Sequence, residues 1–222
     1  MKTTVILLLY CIVAAAQLYA CIPPGRERLR YATKPLLMPL LALFLLLCCQ
    51  PTPLPMIAGL LLGFLGDLLL LYSDDRPALF VPGSLSFAAG HVCYTGYFLS
   101  RLGSAPDLRI VLIAVPCYAA AILLLLRTLR RSMPRRLLFA AGIYLVLISC
   151  MSISALLFAA DSRTLWHWLV YGATLLFLFS DGFLSYEKFC RSFKCRHLVV
   201  MLTYLLAQTG IALGVFMIQG GQ

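Results

Sequence analysis

Residues 56–72 read MIAGLLLGFLGDLLLLY, an apolar run interrupted by one carboxylate, Asp67. A helix needs about 20 such residues to cross the hydrocarbon core of a bilayer. The rest of the chain has a similar character, because 62% of its 222 residues are hydrophobic and only 12% are charged. Soluble domains carry roughly 45–50% apolar and about 25% charged residues. The composition therefore excludes a soluble globule, and it also excludes a disordered chain.

Further apolar runs predict an all-α fold, a polytopic transmembrane helix bundle that forms a single domain over residues 1–222. Lipid admits only helices and closed barrels, and these runs are too long and too apolar for barrel strands. We predict eight spans, at about 4–21, 35–49, 56–72, 79–99, 108–126, 137–160, 164–186 and 197–218.

The basic residues are distributed unevenly between the two sets of alternate loops. One set contains 14 of the 18, which are Arg26, Arg28, Arg30, Lys34, Arg76, Arg127, Arg130, Arg131, Arg135, Arg136, Lys188, Arg191, Lys194 and Arg196. Since cytoplasmic loops carry the excess of Lys and Arg, this set is predicted to be cytoplasmic and both termini non-cytoplasmic. The net charge of +10 thus indicates membrane topology, and we expect no nucleic-acid partner.

The first span also has an alternative interpretation. Lys2, the apolar run and the segment Leu18-Tyr19-Ala20-Cys21 are similar to a signal peptide with a lipoprotein-type cysteine. A cleaved signal would place the basic segment that follows, residues 26–34, outside the cytoplasm. The positive-inside rule therefore favours an uncleaved helix.

Two carboxylates, Asp67 and Asp181, lie inside predicted spans. A carboxylate at membrane depth is costly unless it is paired or neutralised, so such residues face a bundle interior or a cavity. Gly59, Gly63 and Asp67 share one helix face, and the glycines allow another helix to approach it closely. Both aspartates are placed about five residues before the cytoplasmic ends of parallel spans. We expect a paired catalytic or proton-handling role, and a structural polar tie between helices is the alternative.

Other polar residues form two short stripes. His91 and Tyr94 are three residues apart in the fourth span, and Tyr204 and Gln208 are four apart in the eighth. A buried, hydrogen-bonded histidine explains the first stripe as well as a functional role does. On its own, the second stripe is more often a polar contact between helices than a ligand contact. Lys34, before the second span, is either an interface anchor or a contact for a lipid phosphate.

Metal and serine-nucleophile chemistry are disfavoured. A catalytic zinc needs three converging ligands, whereas His91, His167 and His197 are predicted at different levels of the membrane. The sequence contains no HExxH, GxSxG or phosphate-binding glycine loop, so we expect no metal site. The chain has nine cysteines, of which Cys190 and Cys195 lie near a loop; a disulfide or metal site there is the minor alternative to free thiols.

Residues 34–210 contain a series of short motifs, which are in order Lys34-Pro35, Gly66-Asp67, Phe80-Val81-Pro82-Gly83, Phe87, His91, Tyr94, Ser180-Asp181-Gly182-Phe183-Leu184, Phe189, Leu202-Thr203-Tyr204 and Gln208. This order resembles the YhhN-like membrane proteins, whose characterised members are lysoplasmalogenases. The resemblance implies an eight-helix bundle that hydrolyses the vinyl ether bond of lysoplasmalogens. It also maps the two membrane aspartates of the family onto Asp67 and Asp181.

The implied chemistry needs one protonated carboxyl as general acid and one anionic carboxyl, and no cofactor. Sequence leaves open which aspartate is the acid, with Asp181 slightly favoured. The expected partners are a lysophospholipid substrate and the bilayer. The residues expected to bind substrate or orient the reacting groups are Lys34, His91, Tyr94, Tyr204 and Gln208.

Two other functions remain open at this point. Membrane carboxylates also serve proton relays, so a proton-coupled transporter is the main alternative. A non-catalytic lipid-binding or scaffold protein is the second. The sequence does not separate a bacterial cytoplasmic membrane from the endoplasmic reticulum, and it leaves the head-group preference and the oligomeric state open.

Overall fold

The structure, a computed structural model, describes residues 2–22, 25–73, 75–190 and 196–220. Within these ranges every regular element is helical, which confirms the all-α prediction. A single 3₁₀ turn, Pro77–Leu79, precedes α4. The α-helices are α1 (Lys2–Ala20), α2 (Glu27–Cys48), α3 (Leu54–Leu71), α4 (Phe80–Ser100), α5 (Leu108–Leu129), α6 (Arg135–Ser162), α7 (Leu165–Phe189) and α8 (Arg196–Ile218).

Seven of the described helices, all except α4, are long and apolar enough to cross a membrane. Helix α4 has 21 residues, and a rise of 1.5 Å per residue gives it a length of about 31 Å, close to the thickness of the hydrocarbon core. Helix α4 contains no charged residue, but Ser84, Ser86 and His91 lower the hydropathy of its sequence. The length of α4 therefore suits the span predicted at 79–99, and its passage through the membrane stays a prediction.

The predicted second span, 35–49, begins too late. Helix α2 starts at Glu27 and continues through Pro35 and Pro39. A proline removes one backbone hydrogen bond, but helices in a membrane protein tolerate this because neighbouring groups compensate. Arg28, Arg30 and Lys34 consequently lie on α2 and not in a loop. At the other helices, predicted and observed ends agree to within three residues.

The chain divides into two compact units, Met1–Tyr97 with Ala212–Gln222, and Phe98–Ile211. The unit boundaries fall inside α4 and α8. The single domain over residues 1–222 stays a prediction, as does the location of the termini. Arg191 and Lys194, two of the predicted cytoplasmic basic residues, and Cys195 lie outside the described residues.

In the first unit, α3 and α4 approach closely through their glycines. A Cβ atom on Gly59 would lie 2.2 Å from Cε1 of Tyr94, and one on Gly66 would lie 2.6 Å from Cδ2 of Phe87. The hydroxyl of Ser86 donates to the carbonyl of Leu62 at 2.6 Å across the same interface. Only glycine leaves room for these aromatic rings, so the prediction that small residues on this face of α3 admit another helix is confirmed.

In the second unit, α6 and α7 run antiparallel and are joined by contacts along their length. Near the middle of the pair, the hydroxyls of Ser152 and Thr174 lie 2.9 Å apart. Closer to the connection between the two helices, the rings of Phe158 and His167 have centroids 4.4 Å apart. These contacts fix the register of α6 against α7, and this register positions one of the two membrane carboxylates.

Candidate active site

Asp67 forms an ion pair with Lys34 between α3 and α2. The distance from Lys34 Nζ to Asp67 Oδ1 is 3.1 Å, and the side chains are 18% and 4% exposed, respectively. A buried carboxylate is tolerated when a cation neutralises it, so the pair explains how this charge is accommodated. The proposed contact of Lys34 with a lipid phosphate stays a prediction.

Helix α4 covers the face of α3 that carries Asp67. Phe87 packs over Gly66, the residue next to Asp67, and Tyr94 packs over Gly59. His91 and Tyr94 are each 1% exposed. Both predicted residues of this stripe are therefore buried, and the Tyr94 ring helps to fix the distance between the two helices.

Asp181 accepts a hydrogen bond at Oδ2 from the phenol of Tyr144 on α6. Sequence reasoning missed Tyr144. Its signal was weak, because a single tyrosine in the apolar run Ala140–Leu147 is also typical of a residue that faces lipid. The pairing depends on how α6 is rotated and shifted against α7, and neither quantity can be read from the sequence.

Tyr204 and Gln208 are buried on α8, with 5% and 1% of their surfaces exposed. The ring of Tyr204 packs edge-on against Phe177 of α7, with centroids 5.5 Å apart. Phe177 lies four residues before Asp181 and hence on the same face of α7. The α7–α8 contact is also tied by Ser180, whose hydroxyl donates to the carbonyl of Val200 at 3.0 Å.

The two aspartates differ in their distance from the end of the helix. Asp67 lies four residues before Leu71, the last residue of α3. Asp181 lies eight residues before Phe189, the last residue of α7, because α7 continues beyond its predicted end. The predicted separation of about five residues between each aspartate and the end of its span is therefore close for Asp67 and wrong for Asp181. The two belong to different units, and their convergence stays a prediction.

The described residues contain no group of three or more His, Cys, Asp or Glu side chains that could hold a metal ion. His167 has a local contact, since its Nδ1 lies 2.5 Å from the hydroxyl of Thr164. The Sγ of Cys190 lies 3.9 Å from the carbonyl of Thr128. The alternative pairing of Cys190 with Cys195 is untested, because Cys195 lies outside the described residues.

The chain matches the YhhN family model over residues 29–215. It belongs to the YhhN family. Lysoplasmalogenase TMEM86A of Bos taurus is 29% identical over 171 residues, which cover 75% of this chain and 67% of that protein. Lysoplasmalogenase TMEM86B of Homo sapiens is 32% identical over 161 residues, which cover 70% and 60%, respectively. No solved structure matches the chain significantly.

Membership in the YhhN family agrees with the architecture. The seven strongly apolar helices among the described residues, together with the similarity to the two relatives, make this YhhN protein a multi-pass integral membrane protein. The matched segment, residues 29–215, contains every candidate site residue from Lys34 to Gln208. It also contains Tyr144, which the sequence analysis did not select.

Proposed function

We propose that this YhhN protein is a membrane lysoplasmalogenase. It hydrolyses the vinyl ether bond of a lysoplasmalogen to a fatty aldehyde and glycerophosphocholine or glycerophosphoethanolamine. The observation that carries the proposal is the similarity to named lysoplasmalogenases over 161 to 171 residues. We propose that Asp67 on α3 and Asp181 on α7 together form the acid–base pair that this reaction needs.

The reaction begins with a proton transfer from a carboxylic acid to the vinyl carbon that is not bonded to the ether oxygen. The electron pair of the C=C bond forms the new C–H bond and leaves an oxocarbenium ion. Water adds to the cationic carbon while the second carboxylate takes its proton, which gives a neutral hemiacetal. The hemiacetal C–O bond then breaks. The first carboxylate recovers a proton from the hydroxyl, and the second acid protonates the departing glycerol oxygen.

We assign the anionic role to Asp67 and the acid role to Asp181. The ammonium of Lys34 lies 3.1 Å from Asp67 Oδ1 and compensates a full negative charge there. An anion beside the reacting carbon stabilises the oxocarbenium ion and accepts a proton from water. Asp181, which accepts a hydrogen bond from the Tyr144 phenol, is then the carboxyl left to act as the general acid.

The remaining candidates are proposed to bind the substrate. His91 and Tyr94 on α4 would orient the water or the glycerol hydroxyls near Asp67, and Tyr204 and Gln208 on α8 would do so near Asp181. The Lys34 ammonium is proposed to bind the substrate phosphate while it also contacts Asp67, since an ammonium has three donors. The alkenyl chain would lie among Leu and Phe side chains.

The test is aldehyde release by purified protein from a vinyl ether lysolipid. We expect Asp67→Asn and Asp181→Asn each to abolish turnover while the protein remains folded. Asp107→Asn makes the same chemical change at an exposed residue that caps α5, and it should retain activity because Asn also caps helices.

The outcomes are distinct. Full activity in either membrane variant overturns the site assignment, and no aldehyde from the wild-type protein overturns the function. Uptake of a solute into vesicles without aldehyde formation supports a transporter instead. Variants that change only thermal stability support a lipid-binding or scaffold role.

A further inference from the structure

We propose that Tyr144 is a positioning residue for the general acid Asp181. Its hydrogen bond to Oδ2 leaves the transferable proton on Oδ1 and stabilises the carboxylate that remains after the transfer. This inference rests on the proposed function and adds a residue from α6 to it. It starts from a contact between two helices, the phenol of Tyr144 donating to Asp181.

The contact is supported by packing on the side that leads toward the α6–α7 connection. Tyr144 and Asp181 continue the antiparallel register of the pairs Ser152 with Thr174 and Phe158 with His167. Leu145 and Ile148, close to Tyr144 on α6, are buried with 4% and 0% of their surfaces exposed. Because neighbouring contacts fix both helices, the phenol is held against one oxygen of the carboxyl.

The chemistry favours a donor at this position. When Asp181 gives its proton to the vinyl carbon, the electron pair of the O–H bond stays on the carboxyl as negative charge. A hydrogen bond to an ionised acceptor is roughly twice as strong as one to a neutral acceptor. The bond from Tyr144 therefore strengthens as the transition state is approached, which lowers the barrier. Tyr144 keeps its own proton throughout the cycle.

The competing explanation is that Tyr144 only satisfies the hydrogen-bonding capacity of a partly buried carboxyl. Tyr118 provides a matched control, because its hydroxyl lies 2.7 Å from Ser152 Oγ in the same unit. Both Tyr144→Phe and Tyr118→Phe remove one phenolic hydroxyl from a polar contact and retain the ring. Only the first change removes a donor to Asp181.

The kinetic experiment compares kcat and KM of the two variants for a vinyl ether lysolipid. We expect Tyr144→Phe to lower kcat by about 10- to 100-fold, the effect of one hydrogen bond to a charged group, with KM changed by less than about twofold. Tyr118→Phe should retain both constants. Equal losses in the two variants, or an unchanged kcat in Tyr144→Phe while Asp181→Asn is inactive, would overturn the inference and leave the proposed function intact.

Infrared spectroscopy tests the inference without turnover. A protonated Asp181 should give a carbonyl band that is absent from Asp181→Asn. In Tyr144→Phe this band should move to higher frequency, because Oδ2 loses its donor. A band that stays in place, or no band assignable to Asp181, contradicts the proposed role even if the enzyme is active.

Discussion

Lys34 Nζ on α2 and Asp67 Oδ1 on α3 lie 3.1 Å apart, and the carboxylate side chain is only 4% exposed. In a region of low dielectric, each of these charges depends on the other. The pair therefore links α2 to α3 beside the aromatic residues of α4 that contact α3.

A double-mutant cycle tests this dependence. Lys34→Met leaves the buried carboxylate without its cation, and we expect a loss of about 3 kcal/mol, the lower end for a broken buried pair because Lys34 is partly exposed. The double variant Lys34→Met/Asp67→Asn should be more stable than Lys34→Met alone, since it also removes the buried negative charge that Lys34 compensates. Thermal unfolding of the purified protein in detergent measures both. Additive losses would mean that the two residues do not interact.

Replacing Gly59 by alanine should destabilise the first unit. The new Cβ would lie 2.2 Å from Cε1 of Tyr94, and the fully buried ring has little room to move. We expect a loss of about 1–3 kcal/mol from overpacking. Gly96→Ala is the control, because nothing lies within 4 Å of a Cβ at that helical position. It should be neutral or stabilise by up to about 1 kcal/mol. Similar melting temperatures for the two variants would contradict the close approach of α3 and α4.

Cys49, just after the end of α2, should react slowly with maleimide. Burial raises the pKa of its thiol to about 11, so the thiolate is a minor species at neutral pH, on the order of one molecule in a thousand or fewer. A variant that retains only Cys49 should label faster as the pH rises toward 10, because the thiolate fraction grows about tenfold per pH unit. The same protein unfolded in SDS is the reference. Equal rates for folded and unfolded protein at pH 7.5 would show that the thiol is not buried.

The positive-inside rule makes a prediction about topology. Alkaline phosphatase, which is active only outside the cytoplasm, should be active when fused after the C-terminus or inserted in the loop 101–107. It should be inactive in the loop 130–134, which is flanked by Arg127, Arg135 and Arg136. The fusions are expressed in a bacterial host, and the phosphatase activity of each is divided by the amount of fusion protein measured by immunoblot. The reverse pattern of activity would place both termini in the cytoplasm.

The surroundings of Asp67 show which contacts the sequence predicts and which ones only the structure reveals. The glycine spacing on α3 predicted a close helix contact beside Asp67, and the structure has Tyr94 and Phe87 at that contact. The sequence places Lys34 before the second span, and no local pattern indicates that it pairs with Asp67. The continuation of α2 through Pro35 depends on neighbouring helices that can compensate for a missing hydrogen bond.

Composition and apolar run length were sufficient to determine the fold class and most helix ends, because a bilayer forces the chain into helices of nearly fixed length. They were also sufficient to single out Asp67 and Asp181, since a charge inside such a run is costly and therefore rare. The tertiary structure alone decided that Lys34 pairs with Asp67 and Tyr144 with Asp181. Such pairs depend on the rotation and register of one helix against another, and these are set by the packing of many side chains together and not by any local pattern.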